Sequence, residues 1–132
     1  MIRREKQAVL QGLPPKYRER LLLESIDVPE PEDLDDDLMA QVRWPAARKL
    51  PAVLEYVKDV LMPELRDHPT RKVLVWAHHH HVLDALTELL HAKLGVAAVV
   101  AMDGRTATGA RTTATHRFQT EPTCRVAVLG LT

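Results

Sequence analysis

The chain has 132 residues, 45% of them hydrophobic and 27% charged, which suits one globular domain and excludes a disordered chain. Lysine and arginine together number 18, as do aspartate and glutamate, so the net charge does not indicate a nucleic-acid partner. The sequence has no apolar run of roughly 20 residues, no signal peptide at its start and only one cysteine, Cys124, so we expect an intracellular protein without disulfides or a membrane partner.

The charges are segregated along the chain. Residues 1–20 carry six basic and two acidic side chains, residues 24–37 carry eight acidic and no basic ones, and residues 93–132 carry five basic and two acidic ones. The acidic stretch contains prolines, so residues 27–44 are predicted to form a flexible, solvated loop. The basic segments fit either solvated faces or a surface that meets a polyanion, and charge alone does not decide between them.

Apolar spacing predicts an α/β fold. Pro45 is predicted to open a helix over residues 45–65, in which apolar residues recur at intervals of three and four. Beyond it the pattern predicts strand, helix, strand, helix and strand, in the order 72–77, 82–95, 96–102, 111–119 and 124–131. This alternation is typical of parallel βαβ units with right-handed crossovers. The first strand is almost continuously apolar and is predicted to be covered on both faces. The sequence ends on an apolar strand, so we expect a short sheet with an exposed edge.

Parallel sheets bind ligands beyond the carboxyl ends of their strands, and polar residues follow all three predicted strands. The histidines at 78–81 are successive residues that point in different directions, so we predict no metal site there. They either cap the next helix, pack inward or contact a phosphate at the helix N-terminus, and the sequence leaves these alternatives open. The segment 102–118 combines threonines with arginines and fits either a surface for a phosphate backbone or a turn with a polar helix.

Ordered blocks of sequence resemble the annealing-helicase (HARP-like) subgroup of the Swi/Snf-type helicase-related ATPases. Residues 2–19, with paired arginines and LPPK, resemble the segment that joins the two motor lobes of that family. VLVWAHH followed by VLDAL, within 73–86, resembles motif IV. MDGRT with Arg111, Phe118 and Gln119 resembles the next block, and VAVLGLT at 126–132 resembles the start of motif V. The resemblance covers nearly the whole chain and implies the front part of the second RecA-like (P-loop NTPase-type) lobe.

The resemblance implies a two-lobed motor that uses ATP and Mg²⁺ to move along duplex or forked DNA of any sequence. It divides the chain into an inter-lobe connection and start of lobe two at 1–26, the acidic loop at 27–44 and a truncated RecA-like lobe at 45–132. The positions that match DNA-facing motifs of the family are His78, His79, Gly104, Arg105, Thr106, Arg111 and Thr132. Arg3 and Arg4 match positions that couple the lobes.

The sequence ends within motif V and contains no GxxxxGK[ST] phosphate loop, so we predict no catalytic residues, no bound ATP or Mg²⁺ and no ATP hydrolysis by this chain alone. Its expected partners are DNA, lobe one and the remainder of lobe two, in the nucleus of a eukaryote or at the nucleoid of a bacterium.

Two features depart from the family: the acidic segment 27–37 matches no motif, and His80 and His81 replace more usual lysine and aliphatic residues. The alternative function is a stand-alone α/β adaptor that binds DNA or protein without motor activity, and the missing glycine fingerprint disfavours a Rossmann-like enzyme.

Overall fold

The computed structural model describes residues 12, 14–24, 27–29 and 38–131. Its elements in chain order are α1 Leu38–Tyr56, a π-helical turn Val57–Leu61, α2 Met62–Asp67, β1 Val73–Ala77, α3 His80–Leu94, a 3-10 turn Val96–Ala98, β2 Val99–Met102, α4 Thr108–Thr120 and β3 Val126–Gly130. The predicted α/β class and the alternation of strands and helices after residue 71 are confirmed, with element ends shifted by at most three residues. None of the helices in these described ranges is long and apolar enough to cross a membrane.

Helix α1 begins at Leu38 rather than at Pro45, and both Pro45 and Pro51 lie inside it. The prediction relied on the preference of proline for the first turn of a helix. It overlooked Leu38 and Val42, which extend the spacing of four residues toward the N-terminus. Residues 38–44 of the predicted acidic loop are therefore helical, residues 27–29 have no regular structure, and residues 30–37 lie outside the described part of the chain.

The three strands form one parallel sheet in the order β1, β3, β2. Val126 of β3 aligns with Val73 on one side and with Val99 on the other, so β3 is the central strand. β1 and β2 therefore form the edges of the described sheet. The order of the strands along the chain does not reveal this arrangement. The crossover through α3 connects β1 to β2 but leaves a position between them in the sheet, and β3 occupies it.

One face of the sheet packs against α3 and the helical segment before β1. Leucines on α3 recur at intervals of three and four, which places them on one side of the helix. The buried residues of this core are Val57, Leu65, Leu83, Leu86, Leu90, Val99, Val126 and Val128. Because α3 connects β1 to β2 and covers the central strand, this core joins all three strands.

The other face of the sheet is only partly covered. Ala114 and Phe118 of α4 pack over Val100, Cys124 and Ala127, which lie on the β2 side of that face. In β1, Leu74 and Trp76 align with residues on the same face but are 52% and 57% exposed. The prediction that β1 is covered on both faces is thus wrong within the described residues, whereas the central strand is buried on both.

Candidate functional site

The carboxyl ends of all three strands lie at one edge of the sheet because the strands are parallel. We call this the carboxyl edge and define it as residues 78–81 after β1, residues 103–107 after β2 and Leu131 after β3. Of the predicted site residues, His78, His79, Gly104, Arg105, Thr106 and Arg111 lie at this edge or at the helix that follows it. Thr132, Arg3 and Arg4 lie outside the described residues, so their predicted roles stay predictions.

The loop after β2 is shaped by hydrogen bonds to its own backbone. The Asp103 amide donates to Thr106 Oγ1 at 3.0 Å, and the Thr106 amide donates to the Asp103 carbonyl at 3.1 Å. From the first turn of α4, Arg111 donates through Nε to the Thr106 carbonyl at 2.9 Å and through Nη2 to the Asp103 carbonyl at 2.7 Å. These bonds hold the predicted site residues Thr106 and Arg111 to Asp103, and Gly104 and Arg105 lie in the loop that they close.

Arg105 is bound on two sides by carboxylates. Its Nε and Nη2 donate to Asp103 Oδ2 at 2.9 and 2.6 Å. Its Nη2 also donates to Asp84 Oδ1 at 2.7 Å, and its Nη1 to Asp84 Oδ2 at 3.3 Å. The hydrogen bonds from Arg105 lower the pKa of both carboxyl groups and raise the pKa of Arg105 itself, so all three groups are ionised at neutral pH. Asp84, in the first turns of α3, is not among the site residues predicted from the sequence.

Gly130 fixes how closely the ends of β3 and β2 approach. A Cβ atom at Gly130 would lie 2.6 Å from the Cβ and 3.1 Å from the Cα of Asp103, and 3.1 Å from Leu83 Cδ1. Only glycine therefore fits at this position without a shift of the neighbouring strand end. The close approach holds Asp103, whose side chain is 10% exposed, at the base of the loop.

The four histidines at 78–81 lie at the start of α3. His79 is the N-cap residue by its extended backbone, and its carbonyl accepts bonds from the amides of Val82 and Leu83 at 3.1 Å. Its imidazole does not cap the helix, so the capping alternative is wrong for this residue. The ring centroids of His78 and His79 are 5.0 Å apart, and those of His79 and His81 are 5.5 Å apart.

The electrostatic surroundings of the histidines differ along the run. Loss of surrounding water, followed by repulsion from His78, His81 and Arg43, lowers the pKa of His79. His80 lies close enough to Asp84 and Asp103 to lower the pKa of both carboxyl groups slightly. The described residues contain no cluster of three or more potential metal ligands. The histidine run and the loop after β2 thus belong to one polar surface.

Three other basic residues bind backbone carbonyls instead of facing this edge. Lys72 Nζ donates to the carbonyls of Phe118 and of Glu121, the latter at 2.8 Å, at the end of α4. Arg125 Nη2 donates to the carbonyls of Leu65 and His68 at 2.7 and 2.6 Å, at the end of α2. Arg117 Nη2 donates to the Ala97 carbonyl at 2.9 Å, on the side of the sheet where β2 begins. These cations stabilise helix ends and loops. Because Arg117 and Arg125 lie away from the carboxyl edge, the basic count of residues 93–132 overstates the charge at that edge.

Curated proteins from several animals are similar to the chain over its whole length. The chain is 35% identical, over 150 aligned positions, to the SWI/SNF-related matrix-associated actin-dependent regulator of chromatin subfamily A-like protein 1 homolog of Caenorhabditis elegans. It is 31% identical to the corresponding protein of Xenopus tropicalis and 30% identical to the human DNA annealing helicase and endonuclease ZRANB3. These alignments cover 99% or 100% of the chain.

The chain corresponds to a small part of each of these relatives. It spans 21% of the Caenorhabditis elegans protein, 15% of the Xenopus tropicalis protein and 13% of the human protein. No protein-family model matches the sequence. No solved structure matches it either.

Proposed function

We propose that the chain, which is similar over its whole length to a SWI/SNF-related protein and to a DNA annealing helicase, is the front part of the second RecA-like lobe of a DNA translocase. Its role in that motor is to supply contacts to the DNA backbone. The proposal rests on the loop after β2, in which hydrogen bonds join Arg105, Thr106 and Arg111 to Asp103 at the carboxyl edge. The parallel sheet with helices on both faces supports the proposal because it is compatible with part of a RecA-like lobe.

The chemistry of this edge suits phosphate rather than bases. Guanidinium groups, hydroxyl groups and backbone amides bind phosphate oxygens and carry no sequence information. His78 and His79 extend the polar surface beside the start of α3, where backbone amides favour an anion. A translocase must move along DNA of any sequence, and contacts of this kind allow it. We propose further roles in DNA contact for Thr132 and in inter-lobe coupling for Arg3 and Arg4.

ATP and Mg²⁺ are proposed to bind only in the complete motor, which includes lobe one and the remainder of lobe two. Phosphoryl transfer in such motors needs a phosphate loop, magnesium ligands and an arginine finger acting together. The 132-residue chain is therefore proposed to have no ATPase activity by itself, with or without DNA, and to work in the nucleus as part of the longer protein. Release of phosphate from ATP by the purified chain would contradict this assignment.

Replacing both Arg105 and Arg111 with alanine should weaken DNA binding equally for unrelated sequences. Each lost phosphate contact reduces the slope of log K against log salt by about 0.9, so the double variant should be flatter by about 1.8. Fluorescence anisotropy with two unrelated duplexes over a salt series measures both quantities. Thermal unfolding should accompany it, because Arg111 also braces the loop.

Lys58→Ala with Lys93→Ala is the matched control for this double variant. It removes the same charge from exposed residues, one in the π-helical turn and one near the end of α3, away from the carboxyl edge. The control should retain the wild-type slope. An unchanged slope in the arginine variant, with the fold intact, would refute the assignment of both arginines.

A stand-alone adaptor without motor activity is the second candidate, and one observation favours it. Leu74 and Trp76 of β1 are more than half exposed, together with Leu131 at 62%. Exposed apolar residues that lie together are typical of surfaces that meet other proteins. An adaptor for proteins should show no salt-dependent affinity for duplex DNA, which separates it from the proposed translocase segment.

A further inference from the structure

Arg105 cannot present its full charge to DNA while both carboxylates bind it. Asp84 and Asp103 together carry two negative charges against one positive charge, so this cluster has a net negative charge. A phosphate that approaches Arg105 is therefore repelled by the cluster unless one carboxylate moves away. The binding surface of the proposed translocase segment thus contains carboxylates that compete with DNA phosphate for Arg105.

The two carboxylates differ in how firmly they are held. Asp103 is 10% exposed, lies against Gly130 and also accepts the Arg105 backbone amide at 2.8 Å. Asp84 is 61% exposed and contacts Arg105 from a different element, the first turns of α3. Exposed ion pairs contribute little free energy, since water competes for both partners. Asp84 is therefore the carboxylate that can be displaced.

A phosphate group can take the place of Asp84. The Asp84 carboxylate binds the guanidinium through both oxygens, and phosphate oxygens bind arginine in the same two-point geometry. A cavity of about 260 Å³ lies beside this pair and is lined by Asp84, Asp103, Arg105, Thr87 and Thr106 among others. The lowered pKa of Asp84 keeps it ionised at neutral pH, so it competes under ordinary conditions.

We infer that Asp84 is an internal competitor of DNA phosphate for Arg105 and so sets the DNA affinity of the carboxyl edge. The inference rests on the proposed function, because it assumes that this edge meets DNA. When DNA binds, a phosphate displaces Asp84 from Arg105 while Asp103 continues to hold the guanidinium from the other side. Asp84 thereby lowers the resting affinity for DNA without contacting the DNA itself.

Replacing Asp84 with asparagine in the full 132-residue chain tests this competition. Asp84→Asn should bind duplex DNA about fivefold more tightly at low salt, because a weak surface ion pair no longer has to break. The slope of log K against log salt should stay at the wild-type value, because a phosphate occupies Arg105 in the DNA complex of both proteins. Glu88→Gln is the matched control, since it removes the same charge from an exposed residue one turn further along α3. The control should show a smaller rise in affinity and no change in slope.

A second variant tests whether the gain in DNA affinity depends on Arg105. In the Arg105→Ala background, Asp84→Asn should raise the affinity no more than Glu88→Gln does. The inference is overturned if Asp84→Asn and Glu88→Gln behave alike, or if the gain persists without Arg105. If the wild-type chain binds duplex DNA with a steep salt dependence in that case, only the competition fails. If neither the wild-type chain nor any variant binds DNA, the proposed function fails together with this inference.

Discussion

Replacing Leu90 with alanine should lower the free energy of unfolding by about 3–5 kcal/mol. Leu90 is fully buried on α3, in the core that joins this helix to the sheet. The shorter side chain loses the transfer free energy of its methyl groups and leaves a cavity among well-packed neighbours. Folded domains are typically stable by only about 5–15 kcal/mol, so this variant should be partly unfolded near 37 °C. Urea unfolding followed by circular dichroism measures the change.

Leu22→Ala is the matched control for the core substitution. Leu22 is 86% exposed, so the same loss of methyl groups should change the free energy of unfolding by less than about 0.5 kcal/mol. Equal effects of the two substitutions would mean that α3 does not pack on the sheet as described.

Replacing Gly130 with alanine should destabilise the chain by about 1–3 kcal/mol through overpacking. The new Cβ would meet the Cα and Cβ of Asp103, and a backbone atom cannot rotate away as the end of a flexible side chain can. The end of β2 must shift, which also displaces the carboxylate that holds Arg105. Thermal unfolding should therefore show a lower Tm.

Gly109→Ala is the control, because Gly109 is a glycine without close neighbours at the position of a Cβ atom. Gly109 lies near the start of α4, and a Cβ there would meet nothing within 4 Å. Alanine favours helix relative to glycine, so this substitution should be neutral or stabilising by up to about 1 kcal/mol. A destabilisation by Gly109→Ala as large as that by Gly130→Ala would contradict the close contact at Asp103.

The sequence predicted the fold class because its helices and strands carry local periodic signals. Leu83, Leu86 and Leu90 recur at helical spacing, and the structure buries all three. The order of strands and the exposure of Trp76 were not predictable in this way. Both depend on which distant segments become neighbours, and a local apolar pattern is the same for an edge strand as for a central one.

The candidate site could likewise be predicted only where its residues are close in sequence. Arg105, Thr106 and Arg111 are close in sequence, at the end of a strand and the start of a helix, so their proximity could be predicted. Asp84 lies 21 residues before Arg105, and only the packing of α3 beside β2 brings the two together. The capping contacts of Arg125 likewise span more than 50 residues. A count of basic residues along the sequence therefore does not show which of them face the carboxyl edge.

The affinity of the 132-residue chain for two unrelated DNA duplexes, measured over a range of salt concentrations, shows whether the chain binds the DNA backbone. Backbone contacts through Arg105 and Arg111 predict equal affinities for the two sequences. They also predict a slope of log K against log salt of about −1.8 or steeper. Absence of binding, a preference for one sequence or an affinity that does not depend on salt would contradict the claim that this chain holds the DNA backbone.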